Sequence, residues 1–133
     1  MKKLNNKGFS LVELIIVIAI MVILVAVLAP QFTKYVERSR VSTDIQTASE
    51  IATAVEVAIA EGKIAAGESG SIAAVPDAKL TSITALPKTK SNVGAGKDQT
   101  YSWAVDSNLA VTVTANSKQL YPTPDTAYAS YID

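Results

Sequence analysis

Residues 7–14 read Lys7-Gly8-Phe9-Ser10-Leu11-Val12-Glu13-Leu14, and the apolar segment that begins here continues to Pro30 and Phe32. Glu13 is the only charged residue in this segment after Lys7. A carboxylate in such a segment is costly, about 2.5 to 3.5 kcal/mol at the centre of a membrane helix on insertion scales. We therefore infer that Glu13 has a partner of opposite charge.

The uncharged segment from Leu14 to Thr33 is long enough to cross a membrane. Its 20 residues extend about 30 Å as a helix, which matches the hydrocarbon core of a bilayer. One interpretation is a cleaved secretory signal with Val27-Leu28-Ala29 as its processing site, but Pro30 would then follow the cut directly. A plain single-pass anchor is a second interpretation, and it leaves Glu13 without a role.

The N-terminal residues support a third interpretation. A lysine-rich leader ends in Gly8, Phe9-Ser10-Leu11-Val12-Glu13 follows, and the aliphatic run is interrupted at Pro30-Gln31-Phe32. Over residues 1 to 36 the chain resembles a type IV prepilin. The resemblance implies cleavage between Gly8 and Phe9 and N-methylation of Phe9 by a prepilin peptidase/methyltransferase. It also implies that Glu13 pairs with the terminal amine of a neighbouring subunit.

Physical chemistry supports this role for Glu13. The ammonium of a processed Phe9 and the Glu13 carboxylate each carry a desolvation penalty in apolar surroundings, and a partner of opposite sign offsets it. Because an unmatched buried charge is penalised more than a matched pair, the pairing selects one axial register of stacked helices. Glu13 also lies in the first turn, where a negative side chain interacts favourably with the helix dipole.

The sequence beyond Pro30 predicts that the helix resumes. Pro30 removes a backbone donor, so we expect a kink at this position. Apolar residues then recur at steps of three and four, and this spacing extends the helix to about Glu61, with Gly62 at its C-cap. The stripe consists of Val41, Ile45, Ala48, Ala52, Val55 and Ile59.

Polar residues of this half predict a solvated face opposite the stripe. Arg40 and Asp44 stand four residues apart, and Lys34 and Glu37 stand three apart. We interpret both as exposed charge pairs of the helix surface, each contributing a few tenths of a kcal/mol.

The C-terminal residues predict a small antiparallel sheet. Residues 62 to 99 are rich in glycine and proline and indicate an irregular connection with at most short elements. Residues 101–105 and 109–114 alternate between apolar and polar around the turn residues Asp106-Ser107-Asn108, which predicts a hairpin, and residues 119–121 add a shorter strand. The fold class is therefore α+β: a long N-terminal helix with this sheet packed on its second half, as in the pilin fold.

The domain organisation follows from these elements. We predict a cleaved leader at residues 1–8, a transmembrane or filament-core helix at 9–33, an amphipathic helical half at 34–61 packed on the head, and a globular β-rich head at 62–133. A head of this size has little core of its own, so the second helical half is expected to be integral to its stability.

Composition excludes several kinds of chemistry. The chain has no cysteine and no histidine, so it has no disulfide, thiolate nucleophile or imidazole base. We predict no catalytic residue, no cofactor and no metal, and hence no enzyme. Loss of Lys2, Lys3 and Lys7 with the leader would leave nine basic against twelve acidic residues, a net charge of −3, so no specific nucleic-acid partner is predicted.

The resemblance implies a structural pilin that polymerises into a type IV pilus filament. Its expected partners are its own copies, the prepilin peptidase/methyltransferase, the pilus assembly ATPase and the inner-membrane platform. Before assembly it would be a single-pass membrane protein with a cytoplasmic N-terminus, and afterwards part of an extracellular filament. A pseudopilin of a type II secretion or DNA-uptake apparatus is the alternative, and a single-pass anchored binding module that never polymerises is an alternative of another class.

Overall fold

The computed structural model describes residues 8–94 and 96–132. The described residues up to Tyr35 form one compact unit, and those from Val36 onward form a second. A single long helix contributes to both units, and the sheet belongs to the second.

The long helix, α1, extends from Leu11 to Ala60 and has 50 residues. The prediction that the helix resumes beyond Pro30 and extends to about Glu61 is thereby confirmed to within one residue. Residues on both sides of Pro30 are helical, so this proline does not end the helix, and the kink stays a prediction. The Thr33 hydroxyl donates to the Pro30 carbonyl at 2.9 Å.

Gly62 ends α1 as predicted. Its N–H donates to the Ile59 carbonyl at 3.0 Å, and the Lys63 N–H donates to the Ala58 carbonyl at 2.8 Å. This pair of hydrogen bonds is the Schellman motif, which requires a left-handed residue at the first position beyond the cap. Gly62 has φ +75°, a conformation that costs glycine little.

The second half of α1 carries the main buried stripe of the second unit. The predicted positions Val41, Ala48, Ala52 and Val55 are buried, and Ile45 and Ile59 pack partly against the core. This part of the prediction is confirmed. The buried face is wider than predicted, and it also contains Ile51, Ala54 and Ala58.

Among the described residues, the sheet has four antiparallel strands: β1 (Ser69–Ser71), β2 (Tyr101–Val105), β3 (Val111–Ala115) and β4 (Lys118–Tyr121). They lie side by side in the order β1-β2-β3-β4. Side chains alternate between core and surface along β2 and β3, with Tyr101, Trp103 and Val113 among those buried. The α+β fold class and the predicted hairpin are confirmed.

Two elements were not identified from the sequence. The first, β1, lies within the connection interpreted as irregular. It is recognised as a strand because it pairs with β2. Gly70 is placed directly on the Trp103 indole, where a Cβ would lie 2.9 Å from Cζ2, so this strand accepts no larger residue without moving the indole. The second is the short helix α2 (Thr126–Ala129), which the Asp125 side chain caps and which buries Tyr128.

The interpretation of Asp44 as an exposed partner of Arg40 is wrong. Asp44 is 1% exposed, and its two carboxylate oxygens accept the backbone N–H groups of Lys90 at 2.8 Å and Ser91 at 3.0 Å. Arg40 instead forms an ion pair with Glu37, in which Arg40 Nη1 lies 3.5 Å from Glu37 Oε2. A buried carboxylate is tolerated when it is fully hydrogen-bonded, and a distant loop supplies the donors here.

Glu37 extends the attachment of this loop by one residue. It lies two helical turns before Asp44, on the same side of α1, and it accepts the backbone N–H of Asn92. Three consecutive loop N–H groups, at positions 90–92, therefore bind two helix carboxylates. The connection that looked irregular in sequence is thus held at a defined place on the helix.

Two buried tyrosines flank Asp44, and each has a raised pKa. Burial is the main cause for Tyr101, with a further contribution from the Asp44 carboxylate, and the Tyr101 hydroxyl donates to the Asp44 carbonyl at 3.3 Å. Burial is also the main cause of the raised pKa of Tyr128, again followed by the Asp44 charge. Both phenols therefore stay protonated in the fold at pH values where an unfolded tyrosine ionises.

We predict that alkali destabilises the second unit. An unfolded tyrosine loses its proton near pH 10, so above that pH the unfolded state binds fewer protons than the folded one and the free energy of unfolding falls. The slope should approach about 1.4 kcal/mol per pH unit for each tyrosine. Urea unfolding of the full chain in detergent, followed by Trp103 fluorescence between pH 8 and 12, measures it.

The matched control for this prediction is Tyr131→Phe, because Tyr131 is 37% exposed. It should leave the alkaline slope unchanged, whereas Tyr101→Phe should reduce it. Equal slopes in all three proteins would contradict the assignment.

Candidate assembly and processing site

The predicted processing site lies just before α1. Gly8, Phe9 and Ser10 have no regular secondary structure and are exposed, and Phe9 is 88% exposed. The peptide bond between Gly8 and Phe9 is therefore outside the helix. A Cβ built on Gly8 meets no atom of the described residues within 4 Å, so the fold of these residues does not require a glycine there. The remainder of the predicted leader, residues 1–7, lies outside the described residues.

Ser10 and Glu13 form a capping box at the start of α1. The Glu13 N–H donates to Ser10 Oγ at 3.2 Å, and the Ser10 N–H donates to Glu13 Oε2 at 3.1 Å. Each side chain thus satisfies one backbone donor that a helix start leaves without a partner. The capping role of Ser10 was not predicted, although its signal, a serine three residues before a glutamate and next to an apolar run, is present in the sequence.

The capping box fixes the position of the Glu13 carboxylate. Oε2 binds the Ser10 N–H, whereas Oε1 accepts no hydrogen bond from residues 8–94 or 96–132. Glu13 forms no ion pair with those residues either. One carboxylate oxygen is therefore held by the chain itself and the other is open to a cation.

We predict that Ser10→Ala loosens the first turn of α1. N-cap serine to alanine costs about 1 kcal/mol, which corresponds to a roughly fivefold faster amide exchange if the turn opens locally. Hydrogen exchange of the full chain in detergent should show this at the Glu13 amide. Ser10→Asn, which retains a capping side chain, should exchange like the parent, and a parent-like rate in Ser10→Ala would contradict the capping role.

The helix surface that follows Glu13 is apolar on all sides. Its large side chains are 46% to 67% exposed between Leu14 and Leu28. By length and composition, α1 is the one helix of the described residues that could cross a membrane. An apolar surface of this extent is stable only when something other than water covers it.

No described residues form a cluster of three or more acidic, histidine or cysteine side chains that could hold a metal ion. One carboxylate oxygen of Asp125, Oδ1, accepts the Ala127 N–H at 2.9 Å and lies 3.9 Å from Lys118 Nζ. This one oxygen therefore caps the start of α2 and lies near a lysine ammonium.

Comparison with known proteins finds a family model that matches the N-terminal segment. Residues 3–29 match the model of the prokaryotic N-terminal methylation motif. The matched segment includes the predicted cleavage site, the capping box and most of the exposed apolar helix.

Three curated relatives extend the similarity. A type IV major fimbrial protein of Dichelobacter nodosus is 46% identical over 63 residues, which are 47% of this chain and 40% of the relative. A type IV major alpha-pilin of Moraxella bovis is 37% identical over 98 residues, 71% of this chain and 60% of the relative. A prepilin peptidase-dependent protein A of Clostridium perfringens is 40% identical over 63 residues, 47% of this chain and 45% of the relative.

The matched segments thus span between two fifths and three fifths of the length of these relatives. No solved structure matches the chain significantly. The methylation motif, the curated relatives and the α+β architecture all support a type IV pilin family for this chain. The relatives named as pilins and fimbrial proteins are structural proteins, which supports the prediction that the chain is not an enzyme.

Proposed function

We propose that this chain is a pilin that polymerises into a type IV pilus filament after cleavage between Gly8 and Phe9 and N-methylation of Phe9. The observation that carries the proposal is an exposed apolar helical surface that begins, within the methylation motif, at a single carboxylate with one open oxygen. Such a surface requires apolar contacts along its whole length. The carboxylate at the start of the surface requires a cation beside it.

Cleavage creates the cation. Once the Gly8–Phe9 bond is cut, Phe9 carries a terminal ammonium, and N-methylation keeps its positive charge. The Glu13 carboxylate of a neighbouring copy offers Oε1, because Oε2 is occupied within its own chain. Pairing of the two charges between copies lowers the desolvation penalty of both and favours one axial offset between adjacent helices.

The same apolar surface accounts both for residence of the subunit in the membrane and for its assembly into the filament. In the membrane, lipid covers the segment from Phe9 to Thr33, and in the filament the same surface packs against the same segment of other copies. Transfer from lipid to helix contacts exposes little apolar area to water. We accordingly propose a single-pass membrane subunit with a cytoplasmic N-terminus before assembly and an extracellular filament afterwards. The peptidase/methyltransferase, the assembly ATPase and the inner-membrane platform are its proposed partners.

The decisive experiment is terminal sequencing and mass measurement of material sheared from cells that express the chain. Long fibres composed mostly of a chain that starts at methylated Phe9 would support the pilin. Processed subunits confined to short fibres of the envelope would instead indicate a pseudopilin of a secretion or DNA-uptake apparatus. An unprocessed Met1 terminus in purified membranes would contradict both and indicate a simple anchor.

A further inference from the structure

Ser10 contacts the first turn of α1 through three polar groups. Its hydroxyl accepts the Glu13 N–H at 3.2 Å, and its own N–H donates to Glu13 Oε2 at 3.1 Å. Its carbonyl accepts the Leu14 N–H at 3.2 Å, a helical hydrogen bond at the start of α1. The two contacts with Glu13 support each other, so loss of the hydroxyl contact also weakens the alignment of the Ser10 N–H with the carboxylate.

The capping box restrains the Glu13 side chain within its own chain. Glu13 is exposed, and its side chain makes no other hydrogen bond or ion pair with residues 8–94 or 96–132. The open space around it has a volume of about 370 Å³ and is lined by Gly8, Phe9, Ser10 and Glu13. An exposed glutamate without such a contact samples several rotamers, and holding one of them for a partner costs conformational entropy.

Cleavage between Gly8 and Phe9 would leave the capping box intact. The Ser10 N–H belongs to the peptide bond between Phe9 and Ser10, which is retained when the preceding bond is cut. The Ser10 hydroxyl and the Glu13 carboxylate also lie on the mature side of the cut. Each processed copy would therefore carry an ammonium at Phe9 and a carboxylate whose conformation is already set.

We propose that Ser10 is a positioning residue for filament assembly. Its hydroxyl holds Glu13 in the conformation in which Oε2 binds the Ser10 N–H and Oε1 stays open for the ammonium of a neighbouring copy. Because this conformation is set before two copies meet, the pairing loses less side-chain freedom than pairing with a mobile carboxylate would. Ser10 itself does not contact the ammonium. This role rests on the polymerisation and the ion pair proposed above.

Ser10→Ala should be cleaved and methylated like the parent chain and should form fewer filaments. The substitution leaves Gly8 and Phe9 unchanged and removes the capping hydroxyl, a loss that corresponds to about fivefold in an equilibrium constant. We expect the yield of sheared filaments to fall by about this factor or more. Mass spectrometry of the membrane subunit measures processing, and immunoblotting of the sheared fraction measures the yield.

Two variants serve as controls for Ser10→Ala. Ser10→Asn retains a capping side chain and should bring the filament yield back close to that of the parent. Ser42→Ala removes an exposed hydroxyl from the second half of α1 and should leave the yield unchanged. A parent-like yield from Ser10→Ala, or a yield from Ser10→Asn as low as that from Ser10→Ala, would overturn the proposal.

Combination with Glu13→Gln separates positioning from a merely structural effect of Ser10. Glutamine keeps an acceptor for the Ser10 N–H but carries no charge, so filaments of Glu13→Gln gain nothing from a well-placed carboxylate. If Ser10 acts through the charge pair, Ser10→Ala should not lower the remaining yield of Glu13→Gln. A further loss of about fivefold in the double variant, the full capping effect, would overturn the proposal. Failure of the parent chain to form any filament would contradict the proposed function itself.

Discussion

Glu13→Val should be processed like the parent chain and should fail to assemble. Valine removes the carboxylate without disturbing Gly8 or Phe9, so the scissile bond keeps its exposed position before α1. The ammonium of each Phe9 would then lie in the filament without a counter-charge. Breaking one side of a buried ion pair costs about 3 to 5 kcal/mol, which corresponds to a loss of filament yield of at least about a hundredfold.

Glu13→Gln separates the charge from the capping role of Glu13. Glutamine retains an oxygen that accepts the Ser10 N–H, so the start of α1 should stay intact. It carries no negative charge and should therefore assemble as poorly as the valine variant. The measurements are mass spectrometry of the membrane subunit for processing and the amount of sheared filament for assembly. A parent-like filament yield from Glu13→Gln would reject the ion-pair role.

Asp44→Asn should be the most destabilising conservative substitution in the second unit. An amide retains one acceptor oxygen for two loop donors, and its NH2 group faces either the Lys90 or the Ser91 N–H. Loss of a buried hydrogen bond to a charged acceptor, with one donor left unsatisfied, costs about 2 to 3 kcal/mol. Urea unfolding of the full chain in detergent, followed by Trp103 fluorescence, measures this difference.

Glu56→Gln is the matched control for Asp44→Asn. Both substitutions convert an acidic residue of α1 into its amide, but Glu56 is exposed and the change there should be within about 0.5 kcal/mol. Equal stability of the two variants would show that the loop does not depend on the Asp44 carboxylate. Hydrogen exchange at the amides of Lys90 and Ser91 should accelerate in Asp44→Asn alone.

Glu13 and Asp44 show how far a sequence identifies the role of a charge. The local sequence suffices for Glu13, because one carboxylate in an uncharged run of membrane length is anomalous wherever the chain folds. Asp44 is four residues from Arg40 in a region with many charges, and its spacing is typical of a solvated helix face. Its burial depends on residues 90–92, which lie 46 to 48 positions further along the chain.

The features that the sequence alone determined are those with a short-range physical cause. The helical period of apolar residues sets the buried stripe of α1, and the conformational freedom of Gly62 ends the helix. Alternation of apolar and polar residues specifies β2 and β3. The N-terminal motif specifies the predicted processing site. Tertiary structure alone decided the pairing of β1 with β2 and the attachment of loop 90–92 to α1 by Asp44 and Glu37. These depend on which distant segments supply hydrogen-bond donors and apolar cover, and the periodicity of a single segment contains no information about its distant neighbours.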